Sequence, residues 1–184
     1  MGNTQEMLQI LTRDGKPTGG LEPRDVVHEK GLIHAEVALF IYNDKGQLLL
    51  QRRSKNKKAN PNKLAIVAGH VSDFDTPIDT VVRECQEEIG LRTFKSKFTQ
   101  IHVEYREKEN KEQNNRIFSY VYAYKCNWPV NKFVVQTEEL SEVMWVDFDV
   151  VKQKMLECDP EYVFARSPYY EKVFNLLEKV VKGK

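Results

Sequence analysis

Between Thr76 and Gly90 the chain carries a complete set of signals for one short helix, and three carboxylates crowd its last two turns. Thr76 can cap the start, Pro77 suits the first helical position because its missing N–H is not needed there, and Gly90 suits the left-handed residue that ends a helix. Ile78, Val81, Val82, Cys85 and Ile89 recur at helical spacing and define one apolar face. At roughly 100° per residue, Glu84, Glu87 and Glu88 fall within an arc of about 100° beside that face. A helix C-terminus carries partial negative charge, so each acid gathered there costs about 0.3–1 kcal/mol unless something positive is among them. A hard divalent cation, Mg²⁺ or Mn²⁺, meets that need, because oxygen clusters suit such ions and the same ions bind phosphates. The competing reading of an isolated Arg-Glu-x-x-Glu-Glu is a solvated acidic face.

The wider spacing separates the two. Residues 69–91 read G-H-V-S-D-F-D-T-P-I-D-T-V-V-R-E-C-Q-E-E-I-G-L. This resembles the signature of the Nudix hydrolase family: glycine, five residues, glutamate, seven residues, then R-E-U-x-E-E-x-G-U, with U aliphatic. Gly69, Arg83, Glu84, Glu87, Glu88, Gly90 and Leu91 stand in register. Asp75 replaces the first glutamate and is one methylene shorter, and Cys85 fills the first aliphatic position as a small apolar substitute. The resemblance implies an α/β (α+β) fold, an α/β/α sandwich with a mixed sheet and a catalytic loop-helix-loop. It also implies metal bound by Glu84, Glu87, Glu88 and the backbone carbonyl beside the first glycine, that of Ala68 here. Arg83 is expected to pair with Glu87 at i+4 and brace the loop, whose contact with the shortened Asp75 is the weak point.

The remaining composition suits such a site. With 184 residues, 41% hydrophobic and 30% charged, the chain reads as one domain over 1–184 with a genuine core. A net charge of +1 argues against nucleic acid as a partner, and no apolar run is long enough for a membrane span. The opening M-G-N-T-Q-E-M-L carries neither a leader nor a myristoylation signal, so the expected location is cytoplasmic, with a homodimer left open. Cys85, Cys126 and Cys158 lack paired metal spacing and read as free thiols.

Along the chain, Met7 to Thr12, Asp14-Gly15 and Thr18 to Leu21 predict an N-terminal hairpin or arm within residues 1–30, and Arg24 to Gly31 a short helix. Val37 to Tyr42 and Leu48 to Arg52 read as antiparallel strands about the turn Asn43 to Gly46, followed by a basic loop over Ser54 to Lys63 and a strand over Leu64 to Ala68. Strands are expected at Phe98 to Glu104 and Ile117 to Cys126, with the charged stretch Arg106 to Arg116 between them as a mobile hairpin loop. A last strand follows at Glu142 to Val146. Helices are expected at Asp149 to Glu157 and over 168–182, the latter with an apolar stripe of Tyr170, Val173, Phe174 and Leu177.

Outside the signature, residues 28–53 and Gln136 to Trp145 resemble the Nudix branch that contains isopentenyl diphosphate isomerases and hydrolase-like relatives. The isomerases need a cysteine before the Gly-His pair and an acidic pair on a following strand. Here Ala68 precedes Gly69-His70, and the acidic positions read Asn114 and Arg116, so the acid and base of isomerase chemistry are absent. His28, His34 and His70 fall near positions that hold a second metal in those enzymes. Imidazoles favour borderline ions such as Zn²⁺ or Mn²⁺, and ordinary hydrogen-bonded histidines are the plain alternative.

The expected chemistry is metal-dependent hydrolysis of a small-molecule diphosphate, a nucleoside diphosphate linked to another moiety, with water activated by metal. Glu84 or Glu139, with its neighbour Glu138, is the candidate proton acceptor. Arg52, Arg53, Lys55, Lys57 and Lys58 are candidate phosphate grips, Arg52 and Arg53 foremost. Tyr105, Phe118 and Tyr120 could stack a base but suit a strand core equally. A non-catalytic nucleotide sensor on the same fold is the alternative class, and an RNA 5′-end pyrophosphohydrolase is disfavoured by the near-neutral charge.

Overall fold

The computed structural model describes residues 6–110 and 113–183, with the side chains of 108–110, 113 and 114 outside the description. Strands β1 (Met7–Leu11) and β2 (Pro17–Pro23) form the N-terminal hairpin, and α1 (Arg24–Lys30) follows, ended by Gly31 in the left-handed conformation. Strand β3 (Ile33–Tyr42) turns at Asn43 to Gly46 into β4 (Gln47–Arg53). The single strand expected at Leu64 to Ala68 is instead two short pieces, β5 (Leu64–Ala65) and β6 (Val67–His70), because β5 pairs with β4 while β6 crosses to β3. Helix α2 (Pro77–Ile89) is followed by β7 (Phe98–Asn110), β8 (Gln113–Lys125), β9 (Leu140–Asp147), α3 (Phe148–Leu156) and α4 (Pro168–Lys182).

Among the described residues the main sheet has seven strands in the path β5-β4-β3-β8-β7, with β6 on β3 and β9 on β4. It is mixed: β3 and β8 are parallel over ten register pairs, from Ile33↔Arg116 to Tyr42↔Lys125, while the other pairings are antiparallel. One expectation is corrected here. The charged segment from Arg106 to Arg116 is mostly ladder rather than loop, since β7 and β8 pair through to Asn110↔Gln113; residues 111 and 112 lie outside the description. Polar partners stand in for apolar alternation there: the largely buried Arg106 side chain pairs with Glu36, and Asn115 and Arg116 are half-buried.

The period-two alternation of β3 divides the core. Ala35, Val37, Leu39 and Ile41 face one cluster with Val81, Cys85 and Ile89 of α2, while Phe40 faces a second cluster with Phe148, Val151 and Met155 of α3 and Val173, Phe174 and Leu177 of α4. The sheet is thus sandwiched between α2 on one face and α3 with α4 on the other. Val82 and Tyr170, expected on apolar stripes, are half-buried at their margins.

Helix α2 forms where its signals point. The Thr76 hydroxyl accepts from the Asp79 N–H, and Gly90 closes the helix at φ 67°, its N–H donating to Gln86 and Cys85 carbonyls. Beyond it, the Val134 N–H donates to the Ile89 carbonyl at 3.1 Å and the Gln136 N–H to the Glu88 carbonyl at 3.0 Å. Two of the helix's orphan carbonyls therefore bind the segment that leads into β9. A Cβ at Gly90 would meet Val134 at 3.0 Å as well as strain the backbone. Gly90→Ala is accordingly expected to cost about 1–3 kcal/mol of stability in denaturant unfolding; an unchanged midpoint would contradict this account of the helix end.

Candidate active site and metal centre

Helix α2 lies against β6, and the contact is close enough that a Cβ at Gly69 would run into the Glu84 carboxylate. That carboxylate therefore lies on the Ala68–Gly69 backbone, and a glycine is required at 69 for the approach. Glu84, Glu87, Glu88 and Glu139 face one cavity of about 450 Å³, together with Ala68, Gly69 and Arg53. Glu139 arrives there because the segment from Val134 to Gln136 hangs on the end of α2.

Arg83 braces this cluster. Its Nη1 is 3.0 Å from both Glu84 Oε1 and Glu87 Oε2, Nη2 is 3.3 Å from the Ser72 hydroxyl, and Nε reaches Asp75 at 3.4 Å. The Asp75 contact is kept but long, as expected of a side chain one methylene short. Glu88 is buried on the other flank, where its Oε2 accepts from Gln51 Nε2 at 3.0 Å.

Burial dominates the electrostatics. It pushes the Glu84 carboxyl up to about 7, Arg83 opposing and Glu87 and Glu6 reinforcing. It pushes Glu88 up to about 8, reinforced by Glu84 and relieved in part by the Gln51 hydrogen bond. No basic residue stands in the last turn of α2. Two acids that ionise with difficulty, beside the Ala68 backbone on the same cavity, match the donor set of a hard divalent cation.

Compact imidazole grouping is the second feature. Ligand atoms of His28 at the end of α1, His34 in β3 and His70 in β6 lie within 4.8 Å of one another. His34 Nδ1 donates to the Leu32 carbonyl at 3.0 Å, which leaves its lone pair on Nε2. That atom and His28 Nε2 are buried without a hydrogen-bond partner. Burial holds His34 down at about 4 and His70 well below the usual histidine range, and burial with Arg24 lowers His28, so all three are neutral donors at pH 7. Unpartnered buried nitrogens of this kind fit a borderline metal ion.

Other expected residues separate. Arg53 lines the cavity, with Nε and Nη2 on the Ala59 carbonyl, and so does Lys57, ion-paired with Glu139. Arg52, expected beside Arg53 at the substrate, is directed elsewhere: it pairs with Glu142 and Glu161 at 2.8 and 2.9 Å and donates to the Asn62 carbonyl. Neighbouring strand residues point to opposite faces, so only one of the two can reach the cavity. Phe118 and Tyr105 pack against each other with tilted rings, centres 5.2 Å apart. Asn114 lies among the side chains outside the description.

Sequence reasoning missed Glu6, Arg24 and Glu36 on the cavity wall. Glu36 had a signal, the lone acid in the mostly apolar strand β3, held by Arg106 and by the Ser119 hydroxyl at 3.0 Å. Glu6 had none, because only the docking of the hairpin carries it there.

A family model described as the NUDIX domain matches residues 32–166. The chain belongs to the Nudix family. It is 34% identical to Nudix hydrolase 3 of Arabidopsis thaliana over 183 residues, which is 95% of this chain but 24% of that protein. It is 28% identical to an isopentenyl-diphosphate Delta-isomerase of Salmonella typhi over 155 residues, 83% of each. A Deinococcus radiodurans crystal structure shares the fold with a TM-score of 0.67 at 18% identity, over 92% of this chain and 98% of that one. The Nudix loop-helix-loop is the Gly69 to Leu91 segment. Among the described residues no helix is long and apolar enough to cross a membrane.

The buried acids give the Nudix site a pH signature. Glu84 and Glu88 ionise near 4.5 ordinarily but near 7 and 8 here, so above the ordinary value the folded chain holds protons that the unfolded chain has released. Stability then falls as pH rises. The histidines, lowered from 6.5, oppose this only below that pH. The unfolding temperature of metal-free protein is expected to fall between pH 6.5 and 8, and to fall less in the Glu84→Gln/Glu88→Gln variant; equal slopes would contradict the assignment.

Proposed function

We propose that this chain hydrolyses the diphosphate linkage of a nucleoside diphosphate joined to a second moiety. Mg²⁺ or Mn²⁺ would be held by Glu84, Glu87, Glu88 and the Ala68 carbonyl. The observation that carries this reading is the pair of carboxyls pushed up by desolvation: Glu84 against the Ala68–Gly69 backbone with Arg83 as its cation partner, and the buried Glu88 held by the Gln51 amide. When bound, such ions neutralise phosphate oxygens and acidify an attacking water.

The chain's own groups do the rest. Arg83 fixes the rotamers of Glu84 and Glu87 and keeps the loop in place through Asp75 and Ser72. Arg53 and Lys57 bring positive charge to the cavity wall, where guanidinium and ammonium groups can hold phosphate oxygens. Glu139 and Glu84, which both line the cavity, would be the carboxylates that accept a proton from water. The neutral imidazoles of His28, His34 and His70 would hold a separate Mn²⁺ or Zn²⁺, a reading supported by their two unpartnered Nε2 atoms. Isomerisation is disfavoured, because the methyl group of Ala68 can neither give nor take a proton.

Formation of nucleoside monophosphate and the phosphorylated second moiety from a panel of nucleoside diphosphate compounds with Mg²⁺ or Mn²⁺ tests the proposal. Glu87→Gln and Glu88→Gln are each expected to lower metal-dependent turnover by about 10²-fold or more while the circular dichroism spectrum stays native. Full turnover in either variant would refute the roles assigned, and a wild-type chain that binds these compounds without cleaving any would favour a sensor.

A further inference from the structure

Three neutral imidazoles leave a divalent ion with its whole charge and with open coordination positions, which a carboxylate or water usually fills. Most acids on the cavity wall already have partners that hold them in place. Arg106 and Ser119 hold Glu36, Arg83 holds Glu84 and Glu87, Gln51 holds Glu88, and Lys57 holds Glu139. Glu6 is paired too, its Oε2 accepting from Arg24 Nη1 at 3.0 Å, but its Oε1 stands 3.8 Å from His70 Nδ1, a carboxylate oxygen set against one ring of the imidazole cluster.

Backbone contacts hold Glu6 there. Its carbonyl accepts from the Arg24 N–H at 3.0 Å, the Met7 carbonyl accepts from the Asp73 N–H at 3.0 Å, and the fully buried Leu8 bridges to Ser72. The hairpin is thereby fastened to the loop between β6 and α2, directly beside both His70 and the signature. A surface acid on a free arm would have no such restraints.

We infer that Glu6 is the carboxylate ligand that completes the His28–His34–His70 centre for a borderline divalent cation, with Arg24 orienting it. The inference rests on the reading that the imidazoles bind a cation, and goes beyond it by making the N-terminal hairpin part of the metal site.

Titration of the metal-free full chain with Co²⁺, followed by calorimetry and by the visible absorption of the bound ion, tests it. Glu87→Gln/Glu88→Gln protein serves as the background, so that the signature carboxylates do not dominate the signal. There, Glu6→Gln is expected to weaken Co²⁺ binding at least about 10-fold and to alter the absorption bands. Glu6→Asp should recover part of the affinity, and His28→Gln should abolish the same binding phase. Wild-type affinity and bands in Glu6→Gln, with the phase still lost in His28→Gln, would overturn the role of Glu6 and leave the imidazole centre standing. A background protein with no Co²⁺ phase would overturn both, without touching the hydrolysis assigned to the signature.

Discussion

The burial of Glu84 and Glu88 between helix α2 and the sheet is the constraint on which the site depends. Two carboxylates near the negative end of a helix, shielded from water, are unfavourable in isolation. The chain offsets this only in part, through Arg83 at Glu84 and the Gln51 amide at Glu88. What remains appears as carboxyls pushed up to about 7 and 8. Such groups, with Ala68, Arg53 and Lys57 lining the same cavity, mark a functional site rather than a source of stability.

The sheet supplies the geometry. Strand β3 sends one face to the α2 core and the other to the α3–α4 core, and it carries Glu36 to the cavity wall and His34 to the imidazole cluster. Strand β6 pairs with β3 through Glu36↔His70 to Leu39↔Val67, so Ala68, Gly69 and His70 are fixed in register beside those residues. Helix α2 then needs only the glycine at 69 to bring Glu84 onto that backbone. Glu6 and Arg24, which flank the hairpin, line the same cavity.

Much of this was legible in the sequence wherever the determinant is local. The caps and period of α2, the Asn43 to Gly46 turn and the stripe of α4 each follow from residues within a few positions of one another. The signature spacing placed Glu84, Glu87, Glu88 and Ala68 on one cavity. Where the determinant is tertiary, the sequence was silent or misleading. Arg52 and Arg53 look equivalent until the pleat directs one toward Glu142 and Glu161. The polar run from Arg106 to Arg116 looks like loop because its strand positions are polar residues, such as Arg106 on Glu36, rather than the apolar alternation that marks a half-buried strand. Glu6 is 64 positions from His70 and meets it only through the hairpin's docking.

The account's central claim, that protonated buried acids give way to a bound cation, is tested most directly by counting protons. Calorimetric titration of the protein with Mg²⁺ or Mn²⁺ at pH 7, in buffers of different ionisation enthalpy, measures protons released on binding. The account predicts binding with net proton release that disappears in the Glu84→Gln/Glu88→Gln variant. Metal uptake with no proton release, or release unchanged in that variant, would contradict it.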